Sequence, residues 1–201
     1  MKRLVLLSAL LFAGCAHTPT FTYTKTPSTY ISHKKVLPVY IDGSFSTEDQ
    51  TAILGVIQEW NQALNGYIVL DVVSRSLDVS VESDQAMKMV MSAKNSHGLM
   101  IIRIDSTAMF IPKDDWNTDY AWTTVNETYL IRDRIQDEQV SFIVRHEIGH
   151  YLGWYHSHQL GTLMDEHYNE AIQACIDQVT MQRIADENGL DIGSLNYCKS
   201  F

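Results

Sequence analysis

Eleven residues constrain this chain more than any others: HEIGHYLGWYH, positions 146–156. His146 and His150 are four apart, so on a helix they share a face, and both neutral ring nitrogens can reach one zinc ion at about 2.0–2.1 Å. Glu147 lies beside them, placed to accept a proton from water activated by the ion without itself being a ligand. Gly153 can adopt the positive φ that ends a helix and reverses the chain, which returns His156 to the same ion as third ligand. A structural zinc site closes with four protein ligands, whereas three histidines leave a position open for chemistry. Hydrolysis by activated water, with Glu147 as general base, is the reaction this set serves, and a peptide bond is its natural substrate.

The rest of the chain is long and apolar enough to build one domain around that motif. Of 201 residues 45% are hydrophobic and 19% charged, with only four prolines, a composition that packs a core rather than staying disordered. The net charge of −9 argues against a phosphate-backbone binder, so nucleic acid is excluded as a partner. VLPVYI (36–41), YIVLDVV (67–73) and LMIIRI (99–104) read as strands, and AWTTV and TYLIR, joined through Asn126-Glu127, as a hairpin. Thr47–Leu64 reads as a helix, with Thr47 and Gln50 as its capping box, Ile53, Val56, Ile57, Trp60 and Leu64 as its apolar stripe, and Asn65-Gly66 as its stop. Two more helices are expected over 137–152 and 171–188, the last ending at Gly189. Met87, Met89 and Met91 alternate in a polar stretch and read as packing rather than as a soft-metal site.

The motif resembles that of the metzincin zinc peptidases, and HEIGHYLGWYHS is most similar to the matrixin form, including Leu152 before Gly153 and Ser157 after the third histidine. The resemblance implies an α+β, metzincin-like (zincin) catalytic domain: a twisted mixed β-sheet, an active-site helix, a methionine turn and a C-terminal helix. Met164, eight positions after His156 in GTLMDE, matches the methionine of that turn, a floor beneath the histidines and not a ligand. It further implies a polypeptide substrate extended along an edge strand, here somewhere in residues 105–131, with the loop from Ser157 to about Cys175 shaping the pocket on the leaving side. The sequence departs from the family after Met164, where Asp165-Glu166 stands and Tyr168 is displaced, so Tyr168 receives no role. A cysteine-switch propeptide and the matrixin structural zinc and calcium sites have no counterpart motif, and one zinc per chain is expected. His158 and His167 read as solvent-facing or as support for the ligands, and Tyr151, Trp154 and Tyr155 as packing beside the helix end.

The N-terminus carries an address. Lys2 and Arg3 precede an apolar run too short to span a bilayer, then Ala13-Gly14-Cys15. LFAGC resembles a bacterial lipobox, which implies cleavage of residues 1–14, acylation of Cys15 with palmitate-type chains, and a membrane anchor in the cell envelope. Ala16 in place of Asp is similar to the outer-membrane sorting pattern of Gram-negative lipoproteins. Residues 15–35, rich in Thr, Ser and Pro, read as a tether, and the peptidase domain as 36–201. Export permits disulfides, so the remaining even pair, Cys175 and Cys198, is expected to be bridged, tying the tail to the preceding helix and contributing roughly 3 kcal/mol. The chain thus reads as a monomeric, lipid-anchored zinc endopeptidase. The alternatives are a lipoprotein that holds zinc or peptide without hydrolysis, which would need no base at Glu147, and a hydrolase of cell-wall cross-link peptides.

Overall fold

A computed structural model describes residues 34–79, 84–107, 120–153, 155–157, 159–166 and 175–198. The signal, Cys15 and most of the tether, together with Trp154, His158, His167 and Tyr168, lie outside the described residues. Among the described residues no helix is long and apolar enough to cross a membrane.

Among the described residues five strands form one mixed sheet: β1 (Lys35–Asp42), β2 (Ile68–Leu77), β3 (Leu99–Ile104), β4 (Ala121–Thr123) and β5 (Glu127–Ile131), in the spatial order β2-β1-β3-β5-β4. Neighbours are parallel except β4, which runs antiparallel to β5 at the edge. The apolar run of β3 is explained by burial on both faces, as central parallel strands require. Pro38 is tolerated in β1 because pairing with β3 covers only Val39–Ile41, so at Pro38 the strand is paired on the β2 side alone.

Helix α1 (Thr47–Ala63) buries Ile53, Val56, Ile57 and Trp60 as its stripe predicts, and Leu64 follows fully buried. Its cap differs from expectation. Ser46, not Thr47, is the N-cap, because its extended backbone sets the hydroxyl 3.0 Å from the Asp49 N–H it accepts. The Asp49 carboxylate is held instead by Arg132, at 2.8 Å. The stop is as expected: Asn65 and Gly66 take φ of 49° and 84°, the left-handed region those residue types favour.

The polar stretch after β2 is a helix, α2 (Asp84–Asn95), on the opposite face of the sheet from α1. Here the packing role given to the methionines fails for Met91, which is 49% exposed; the side chains of Met87 and Met89 lie outside the described residues. Helical periodicity turns Val90 and Ala93, three apart, onto the sheet, and residues two apart cannot share that face. Helix α3 (Val140–Tyr151) begins three residues later than predicted, after one tight 3-10 turn at Asp137–Gln139. Helix α4 (Gln178–Asn188) begins at the cap Asp177, so Cys175 precedes it and is not part of it. The expected start at 171 falls outside the described residues. Cys175 and Cys198 are bonded, with Cα atoms 6.3 Å apart, so the bridge encloses α4 and ties the tail to the strand-like segment ahead of the helix. Gly189 ends α4 with φ 63°.

Candidate active site

Helix α3 lies across one face of the sheet and is clamped by α1. Fully buried Trp60 donates its indole N–H to the Arg145 carbonyl at 3.2 Å, and Arg145 pairs with Glu59 at 2.8 Å. Phe142, Ile143, Val144 and Ile148 fill the core, which fixes the rotation of the helix and leaves His146 and His150 on its more open side. The peptide N–H groups of Leu152 and Gly153 close the last turn on the Ile148 and His150 carbonyls, and Gly153 takes φ 110°, strained for any residue with a Cβ. His156 follows that reversal.

The three imidazoles converge. The Nε2 of His150 lies 3.1 Å from that of His146 and 3.2 Å from that of His156, and one ligand atom from each of the three falls within 4.8 Å of the others. Ligands about 2.0–2.1 Å from a tetrahedral zinc stand about 3.3–3.4 Å apart, so the His150–His146 and His150–His156 spacings suit the ion, and three imidazole nitrogens suit its chemistry. His146 Nδ1 lies 2.7 Å from the Leu163 carbonyl, which can only accept; the proton therefore sits on Nδ1 and the Nε2 lone pair faces the cluster. Burial, helped by His150, pushes the His146 imidazole down to about 3, so it is neutral at physiological pH, the form a metal needs.

A turn carrying Met164 packs against the helix that bears His146 and His150. Met164 is fully buried, its carbonyl accepts from Ser157 N–H at 2.7 Å, and the Asp165 N–H closes the turn on Thr162. Met164 packs on α3 at Gly149, where an added Cβ would collide with its sulfur. The turn is held from below by Asp177. That buried carboxylate accepts from the Leu163 N–H at 2.7 Å while capping α4 through the N–H and hydroxyl of Thr180, at 2.9 and 2.8 Å. Asn188, at the other end of α4, donates to the Leu152 carbonyl at the close of α3.

Glu147 points the other way from the solvent, only 5% exposed, and its Oε2 accepts a hydrogen bond from the Thr123 hydroxyl of β4 at 2.7 Å. The edge strand within the expected 105–131 region is β4, which among the described residues pairs with β5 alone. Tyr151 is a packing residue, as expected: its hydroxyl donates to the His97 carbonyl at 2.9 Å, and burial raises it to about 12. Tyr155 does not pack and is 87% exposed. Thr123, Gly149 and Asp177 escaped the sequence analysis. A glycine inside a helix, which costs about 1 kcal/mol against alanine, was the available signal for Gly149; an Asp ahead of an apolar helical period was the signal for Asp177; nothing local marks Thr123.

No curated protein matches the chain. The matrixin family model matches residues 58–186, from α1 through α3 and the turn at Met164 into α4. With three histidines placed to bind a metal within that span, the chain belongs to the matrixins, the family of zinc-dependent metalloendopeptidases whose sequence motif it carries.

Proposed function

We propose that the protein is an envelope-anchored endopeptidase in which His146, His150 and His156 hold one zinc ion and Glu147 is the general base. The observation that carries the reading is the pairing, on one helix, of converging imidazole nitrogens with a buried carboxylate tied to the neighbouring edge strand. Zinc held by His146, His150 and His156 would supply Lewis acidity toward the attacking water and the scissile carbonyl. An extended peptide adds to β4 through its backbone and presents that carbonyl to the site. Glu147 takes a proton from the attacking water as the new C–O bond forms, then delivers it to the amide nitrogen as the C–N bond breaks. Met164, buried against Gly149, supports the helix that carries two ligands and the base.

The anchor is the acylated Cys15, with residues 16–35 as the tether that lets the domain reach substrates near the membrane. Replacing Cys15 with Ala should abolish labelling by a palmitate analogue and release the protein from the membrane fraction; unchanged labelling would remove the anchor from this account. The peptidase is tested by mass-spectrometric cleavage profiling of the purified, zinc-loaded protein on a diverse peptide library. Cleavage that disappears with chelator and in Glu147→Ala supports the reading. Absence of cleavage by a protein carrying one zinc favours a binding role or, if purified sacculi are digested, the cell-wall substrate.

A further inference from the structure

Thr123 and Thr128 face each other across the β4–β5 ladder, with their hydroxyl oxygens 2.7 Å apart. Thr128 is fully buried. The Thr123 hydroxyl also lies 2.7 Å from Glu147 Oε2. A hydroxyl has one proton, and an ionised carboxylate only accepts, so the order of donation is fixed: Thr128 donates to Thr123, and Thr123 donates to Glu147. The bond runs from an edge strand to a helix 24 residues further along the chain.

Resting on the proposed function above, we infer that Thr123 is a positioning residue for Glu147, tying the carboxylate to the strand that receives the peptide. A glutamate side chain has three rotatable bonds, and a base must be held to a fraction of an ångström to meet its proton. With Oε2 bonded to Thr123, that oxygen is held relative to β4, and therefore relative to a peptide paired with β4. Thr128 keeps the Thr123 proton directed at Glu147 by occupying its acceptor side. Valine has nearly the shape of threonine and suits a strand equally well, so packing alone does not call for two adjoining hydroxyls here. Hydrogen bonding to the base does.

The test compares Thr123→Val and Thr123→Ser with wild type in the full chain. Zinc content and zinc affinity should stay within twofold in both, since neither change touches a ligand. For a peptide that wild type cleaves, Thr123→Val should lower kcat by on the order of 10- to 100-fold with KM within about twofold, and Thr123→Ser should restore kcat to within about threefold of wild type. Equal kcat for Thr123→Val and wild type, no rescue by serine, or a change confined to KM would each overturn the inference. A second readout needs neither zinc nor activity: thermal unfolding of the metal-free protein in a double-mutant cycle of Thr123→Val with Glu147→Gln. Non-additive shifts in Tm support the bond, and additive shifts overturn it. If wild type cleaves no peptide, the proposed function fails while this cycle still decides the Thr123–Glu147 contact.

Discussion

Replacing Asp177 with Ala should damage both the fold and the metal site, because one carboxylate serves both. It is 5% exposed and accepts three hydrogen bonds, from Leu163 N–H, Thr180 N–H and the Thr180 hydroxyl. Loss of the cap costs about 1 kcal/mol. Bonds to a charged group contribute about 1.5–3 kcal/mol each, and a buried Leu163 N–H left without a partner adds about 1–3 kcal/mol. These contributions overlap, and the expected total is about 3–5 kcal/mol, or roughly 10 °C in Tm for a chain of this size. The effect then passes to the site, since the Leu163 carbonyl orients His146 through its Nδ1–H; zinc affinity should fall about 10-fold. Urea unfolding of the metal-free protein measures the first quantity, and zinc competition against a chelator the second. Asp191→Ala is the control. Asp191 caps a 3-10 turn through the Gly193 N–H at 2.9 Å but is exposed, so its loss should cost no more than about 1 kcal/mol and leave zinc binding alone. Equal costs for the two variants, or unchanged zinc affinity in Asp177→Ala, would refute the reasoning.

Three further outcomes are expected. Gly149→Ala drives its new methyl into the sulfur of buried Met164; overpacking of up to about 3 kcal/mol outweighs the helix-propensity gain of about 1 kcal/mol, so the variant should lose stability and zinc affinity, whereas exposed Gly55→Ala, with nothing within 4 Å, should be neutral or stabilising in the same melt. Reducing the Cys175–Cys198 bond, which spans 23 residues, should lower unfolding stability by roughly 3 kcal/mol, and an unchanged denaturant midpoint would contradict it. His146 titrates near 3 in the folded metal-free protein against about 6.5 unfolded, so only the unfolded chain takes up its proton between those values. Stability should therefore fall as pH drops from 6.5 toward 3 and owe nothing to this group above 6.5; His146→Asn should flatten the slope of urea midpoint against pH, and an identical slope would count against the burial of His146.

The legible parts of the molecule were those whose signals are local. His146, Glu147, His150 and Gly153 fall within eight residues, and one helix with its terminating turn places them all. β3 announced itself as an apolar run flanked by Gly98, and α1 as a stripe of spacing 3.6 ending at Asn65-Gly66. In α2 the alternate methionines imitated a strand period, while the residues that seat it, Val90 and Ala93, carry too little apolar surface to dominate the pattern. Around Cys175 the chain holds apolar residues on both sides of the true cap, so the start of α4 depends on Asp177 engaging Thr180 and Leu163, a choice made by tertiary contact. Thr123 reaches Glu147 only because β4 closes the sheet beside α3. No window of sequence contains that contact.

The most direct test of the central claim is turnover of one library-identified peptide by wild type and Glu147→Gln at equal zinc occupancy. A general base contributes about 10²- to 10⁴-fold, so the variant should bind one zinc per chain with KM little changed and lose kcat by at least that lower bound. Turnover by Glu147→Gln within a few-fold of wild type would show that Glu147 does not carry the proton.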